Sequence, residues 1–104
     1  MIGILKKLLG GAPKADFAEL ARNGAQIIDV RTRQEYAGGH IKGSINIPLN
    51  ELQANMKKIK KDKAVITCCA SGMRSSSARG MLLSNGYSEV HNGGGWSSLQ
   101  NKLR

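Results

Sequence analysis

The sequence predicts an α/β fold with a mostly parallel central sheet. Short apolar runs rich in β-branched residues, 25–30 (AQIIDV) and 64–68 (AVITC), lack the in-out alternation of a half-exposed strand and suit a sheet covered on both faces. Segments with apolar residues at helical spacing separate these runs. Gly and Asn-Gly punctuation falls between them, so strands and helices alternate along the chain.

The elements follow in order. Residues 14–23 (KADFAELARN) set Phe17, Leu20 and Ala21 at helical spacing, and Asn23-Gly24 reads as the stop. The 25–30 strand comes next, then a polar stretch in which Gly38, Gly39 and Gly43 mark turns. A short strand-like SINI spans 44–47. Pro48 opens a second helical pattern at 49–60, with Leu49, Leu52 and Met56 on one face. The 64–68 run is the most strand-like in the chain. A helix follows from near Ser75, with Ala78, Met81 and Leu82 on one face and Asn85-Gly86 at its close. A last short strand fits 87–90, then HNGGGW leads into a terminal helix ending at Arg104.

The 104 residues fit one compact domain, 14–104, preceded by an extension, 1–13, that reads as a short amphipathic helix. That extension is interrupted by Lys6 and Lys7 and lacks a preceding basic stretch, which argues against a secretory signal. No run approaches the ~20 apolar residues of a membrane span. The net charge of +9, from 16 Lys and Arg against 7 Asp and Glu, invites anionic substrates or an acidic protein partner. Its densest cluster is 57–63 (KKIKKDK), a solvated helix end or a docking patch. Four aromatics leave little material for base stacking, so nucleic acid is not the expected partner. Cys68 and Cys69 are adjacent and cannot tie distant segments together, so a reducing, cytoplasmic home suits them. Zinc is disfavoured as well, because no C-x-x-C or H-x-x-x-H pair exists and the two cysteines are contiguous.

The chemistry is expected where a parallel strand hands over to a helix. Residues 69–75 (CASGMRS) occupy such a place. A thiolate there is stabilised by the helix dipole and by unpaired N–H groups of Ala70, Ser71, Gly72, Met73 and Ser75. Gly72 lets successive amides turn inward, and Arg74 adds a fixed positive charge. Such a bowl lowers the pKa of Cys69 and then holds an anion or the outer sulfur of a persulfide.

Three stretches resemble the rhodanese-like sulfurtransferases. CASGMRS at 69–75 is similar to the active loop of that family, which reads Cys, two residues, Gly, one residue, Arg, Ser. DVRTRQEYAGGHIKGSINIP at 29–48 resembles its DVR…E-Y…GHI-x-G-x-x-N-I-P segment, and GYSEVHNGGGW at 86–96 resembles its closing G-Y…V…GG…W. The resemblance implies a three-layer α/β/α domain with about five short strands. It also implies a cofactor-free enzyme that takes sulfur from thiosulfate or a persulfide onto Cys69 and passes it to a thiol or cyanide. Asp29 is implied to lie near the loop and pair with a basic side chain, with Arg31 beside it in a supporting ion pair. Glu35 and His40 fall in the same segment, the histidine as a turn anchor or a general base.

Counting from Cys69 leaves four residues before Arg74, whereas counting from Cys68 leaves five, the length of the phosphate-binding loop in cysteine phosphatases. Gly72 falls third from Cys69, as in rhodanese loops, which favours sulfur chemistry over a phosphatase or arsenate reductase on the same fold. Cys68 then faces away from the bowl, or serves as a resolving thiol. Met73 reads as pocket wall and Ser75 as the cap of the following helix. A non-catalytic binding or sulfur-relay module, docking a partner through its basic face, is the remaining alternative.

Overall fold

The computed structural model describes residues 15–104; the expected 1–13 extension lies outside the described residues. Its elements are α1 (Phe17–Arg22), β1 (Gln26–Asp29), α2 (Arg33–Ala37), β2 (Ile45–Asn46), two 3-10 segments (Leu49–Glu51 and Gln53–Lys58), β3 (Val65–Cys69), α3 (Met73–Ser84), β4 (Val90–Gly95) and α4 (Trp96–Lys102). The strands form one parallel sheet in the order β2-β1-β3-β4. Among the described residues the sheet has four strands, where the sequence led to an expectation of about five.

Both faces of the sheet are covered, which explains the missing alternation. Alternate side chains of a strand point to opposite faces. Val65 and Cys69 pack with Ile28, Val30, Leu52, Met56, Ala78, Leu82 and Tyr87, under α3 and the 3-10 segments. Ile66 and Cys68 pack with Ile27, Ile41 and Leu99, under α1 and α4. Each fully buried Ile or Leu contributes roughly 1.5–3 kcal/mol of hydrophobic stabilisation, and Ile28, Ile66, Leu52, Leu82 and Leu99 are all fully enclosed. The result is three layers, α/β/α.

Local chemistry sets the element ends. Asp16 caps α1 by accepting the Glu19 amide at 3.0 Å. Thr32 and Glu35 form a reciprocal capping box at α2: Thr32 Oγ1 accepts the Glu35 amide at 3.1 Å, and Glu35 Oε1 accepts the Thr32 amide at 2.9 Å.

Two expected elements differ. The helix expected at 49–60 is a pair of 3-10 segments with a kink at Asn55 (φ −119°, ψ 17°). There the Asn55 side chain donates to the Glu51 carbonyl at 2.8 Å, a local bond that competes with a regular helix. The strand expected at 87–90 instead begins at Val90 and runs through HNGGG to Gly95. Glycine is needed there for close approach to β3. A Cβ on Gly93 would lie 2.8 Å from the Thr67 carbonyl oxygen and 2.9 Å from Ile66 Cγ2.

Candidate active site

β3 ends at Cys69 and α3 starts at Met73, two residues earlier than expected. Gly72 is the hinge between them, with φ at 104°, a left-handed conformation that other residues rarely adopt. That turn folds the loop back over the cysteine. The Gly72 amide donates to Cys69 Sγ at 2.9 Å and the Ser75 amide at 3.4 Å. The Ser75 hydroxyl also lies 3.4 Å from the sulfur.

Two opposed effects act on this thiol. Burial is the largest and pushes its pKa up, because Cys69 is only 1% exposed. The Ser75 hydroxyl and the amides of Ser75, Gly72 and Ser71 stabilise the anion and together prevail, so Cys69 lies below the ordinary value for a thiol. The cradle thus favours a thiolate with donors aimed at it.

Arg74 sits one residue into α3, but its guanidinium does not hang free over the bowl. It makes a bidentate pair with Glu35, at 2.7 Å and 3.0 Å. The same carboxylate that caps α2 therefore ties α2 to the loop, and the Arg74 side chain holds its pKa down to about 2, with the Thr32 amide assisting. Glu35 fell in a matched segment of the sequence, but nothing there revealed its partner 39 residues away. Beside Arg74, a shallow depression of about 280 Å³ is lined by Val30, Thr32, Pro48, Leu49 and Asn50.

The other singled-out residues are placed as follows. Asp29 and Arg31 are buried and paired, with Arg31 Nη2 2.7 Å from Asp29 Oδ2 and also donating to the Gly39 carbonyl at 2.7 Å. The Arg31 guanidinium lies 4.7 Å over the Trp96 ring, so this pair fastens the 29–39 segment to α4. Cys68 is fully buried on the opposite face of the sheet from Cys69, and burial, then the nearby Asp29 carboxylate, push its pKa up to about 12. His40 stacks on Tyr36 at 3.8 Å, with Nδ1 2.8 Å from the Tyr36 carbonyl oxygen, a turn contact remote from Cys69 in the hydrogen-bond network.

Met73, expected in the pocket wall, is 79% exposed, because the first position of α3 points outward from the turn. Ser75, expected to cap α3, sits inside its first turn and is buried beneath the loop; Gly72 holds the cap position with no side-chain bond. The lysines of 57–63 precede β3 and so lie at the end of the sheet opposite the loop.

Asn92 is the residue that sequence reasoning missed altogether. It lies on β4, where the pairing with β3 slips: Thr67 faces Asn92 and Cys69 faces Gly95, so three residues advance on β4 against two on β3. Asn92 itself is still in straight register, ahead of the slip, and its side chain meets the loop. Oδ1 accepts from the Ser75 hydroxyl at 2.7 Å and from the Gly94 amide at 2.9 Å, and Nδ2 donates to the Gly72 carbonyl at 3.3 Å. The only sequence signal was its position before the glycines. Among the described residues no three His, Cys, Asp or Glu side chains form a cluster that could hold a metal ion, and no helix is long and apolar enough to cross a membrane.

Residues 14–102 match the family model described as Rhodanese-like domain. Among curated relatives, the chain is 41% identical over 81 residues to the uncharacterized protein YqhL of Bacillus subtilis (strain 168), covering 77% of this chain and 64% of that protein. It is 39% identical over 74 residues to the thiosulfate sulfurtransferase PspE of Escherichia coli (strain K12), covering 69% of this chain and 71% of PspE. Among solved structures, the human single-domain sulfurtransferase TSTD1 superposes with a TM-score of 0.74 at 28% identity, covering 90% of this chain and 99% of TSTD1.

Proposed function

This chain belongs to the rhodanese-like domain family, and from that premise we propose that it is a sulfurtransferase whose sulfur carrier is Cys69. The Cys69 thiolate attacks the outer sulfur of thiosulfate. A Cys69 S–S bond forms, the donor S–S bond breaks, and its electron pair leaves on sulfite. The persulfide anion takes the place of the thiolate in the cradle, where the amides that stabilised one negative sulfur stabilise the next. An acceptor thiolate or cyanide then attacks the outer sulfur, and the electron pair of the Cys69 S–S bond returns to Cys69. A small-molecule persulfide serves as donor by the same exchange, with a thiol leaving in place of sulfite.

The observation that carries the reading is the Gly72 amide 2.9 Å from Cys69 Sγ, at the mouth of a helix, with four residues between Cys69 and Arg74. Arg74 closes the loop onto α2 through Glu35 and steadies the amides. Ala70, Ser71, Gly72, Met73 and Ser75 supply the binding loop, and the buried Asp29–Arg31 pair supports it from β1. The five-residue register of a phosphatase would need Cys68 as nucleophile, and that thiol is sealed on the far face of the sheet. The same placement leaves Cys68 without a resolving role, so the sulfur passes to an external acceptor. The net charge of +9 favours an acceptor carried on an acidic protein. The reading takes 14–104 as one domain working in the cytoplasm, where free thiols persist.

Intact mass spectrometry after thiosulfate treatment tests it. A gain of one sulfur atom, mapped to Cys69 and reversed by reductant, is the expected result. Cys69→Ser lowers thiosulfate-to-cyanide transfer at least about a thousandfold, whereas Cys68→Ser retains it. Full activity in Cys69→Ser overturns the assignment.

A further inference from the structure

The hydrogen bonds around Ser75 contain a competition that the sulfur chemistry alone does not require. The Ser75 hydroxyl has one proton to give. Two oxygens accept it, Asn92 Oδ1 at 2.7 Å and the Gly72 carbonyl at 3.1 Å, and Cys69 Sγ, which as a thiol donates to Ser75 Oγ at 3.4 Å, becomes a third acceptor as a thiolate. The shortest contact goes to Asn92. The orientation of the Asn92 amide is itself fixed, because Oδ1 also accepts the Gly94 amide at 2.9 Å. A flipped side chain would set donor against donor there and lose the Gly72 contact as well.

We propose that Asn92 is a positioning residue that sets the reactivity of Cys69 by holding the Ser75 hydroxyl proton away from the sulfur. The proposal rests on Cys69 as the reactive thiol. While Cys69 is protonated, its S–H donates to Ser75 Oγ and the Ser75 hydroxyl donates to Asn92 Oδ1, a chain that favours the thiol. When the thiol proton leaves to solvent, the sulfur can only accept. The hydroxyl then serves the thiolate only by turning away from Asn92, whose Oδ1 keeps the Gly94 amide as donor. Asn92 therefore opposes the cradle and limits how far it stabilises the anion. The limit has a chemical use, because the nucleophilicity of a thiolate falls as its pKa falls. A sulfur held too well attacks a donor slowly, even though it departs readily as the leaving group in the second step.

Straight register makes this arrangement available. Asn92 pairs with Thr67 ahead of the slip, two residues before Cys69, and from there its side chain meets Gly72 and Ser75 together.

The test is the pH dependence of Cys69 alkylation by iodoacetamide in the full chain, mapped by peptide mass spectrometry. Asn92→Ala frees the hydroxyl for the sulfur, and the reactivity midpoint moves down by about half a pH unit or more, the worth of one net hydrogen bond. Asn92→Asp keeps both acceptor contacts, strengthens the hold on the hydroxyl and adds a negative charge, so the midpoint moves up. In a Ser75→Ala background the Asn92→Ala shift disappears. A residue that merely braced the loop would give a raised or unchanged midpoint in Asn92→Ala, or an equal shift with and without Ser75, and either result overturns the proposal. Asn92→Asp supplies the decision if the alanine variant does not fold: an unmoved or lowered midpoint overturns it there too. Alkylation needs no sulfur donor, so loss of the sulfurtransferase reading and loss of this proposal register in different assays.

Discussion

Cys68 and Cys69 are neighbours in the chain and strangers in the fold. Both are almost wholly enclosed, yet one is pushed up to about 12 and the other is held below its ordinary value. The pleat of β3 sends Cys68 among Ile27, Ile66 and Leu99, where burial and then the Asp29 carboxylate outweigh the opposing Arg31 charge. It sends Cys69 toward the face where the turn at Gly72 aims amide hydrogens at the sulfur. Enclosure alone thus says little about a thiol. What decides is whether donors stand close enough to outweigh the loss of water.

The largest expected effect breaks the comparison directly. With Cys68 sealed and pushed up to about 12 and Cys69 held below its ordinary value, Cys69 reacts with iodoacetamide far faster than Cys68 near pH 8, and Cys68 reacts only as the chain unfolds. Comparable labelling of both cysteines in the folded protein would show that the two faces do not differ as described.

A pair of glycines separates the two sides more finely. A Cβ on Gly93 strikes Leu99 Cδ2 and the Thr67 carbonyl, both at 2.8 Å, on the side of Cys68. Gly93→Ala should lower stability by about 2–3 kcal/mol in urea unfolding while the folded fraction keeps normal Cys69 reactivity. A Cβ on Gly95 instead strikes the Ala70 carbonyl at 2.9 Å, in the loop itself. Gly95→Ala should slow Cys69 alkylation about tenfold with a smaller loss of stability. If the two variants exchanged these phenotypes, the two faces would be coupled rather than separate.

The smallest effect concerns the strap that holds the Cys69 side in place. The folded pKa of Glu35, about 2, lies below its ordinary 4.5. Its contribution is therefore complete above the ordinary value and is lost as pH falls from about 4.5 through about 2. The melting temperature of the wild-type chain should fall more steeply across that window than that of Glu35→Gln. Parallel curves would show that the Arg74 pair contributes nothing measurable.

Much of this site could be read from the sequence because its information is local. The run 69–75 carries the proposed nucleophile, the hinge glycine and the arginine in one short loop, and the helix-mouth placement follows from the strand before it. What escaped depends on contacts across the fold. Glu35 reaches Arg74 and Asn92 reaches Ser75 only after the sheet has brought separate segments together. The 90–95 strand was hidden for another reason. Strand propensity reflects side-chain packing, and β4 uses glycines where the β3 backbone comes too near for side chains. Asn55 likewise broke a helix whose apolar spacing was regular, through a bond that apolar spacing does not report.

The strand order has one more consequence. Among the described residues, β1 and β3 lie at the centre of the sheet and β2 and β4 form its borders. A border with open backbone groups is a template on which a second chain can polymerise. Here β2 is only two residues long, which leaves little border to pair with. β4 leaves straight register against β3 just after Asn92. The irregularity beside the cradle thus also breaks the regularity of that border, the kind of feature that works against strand addition.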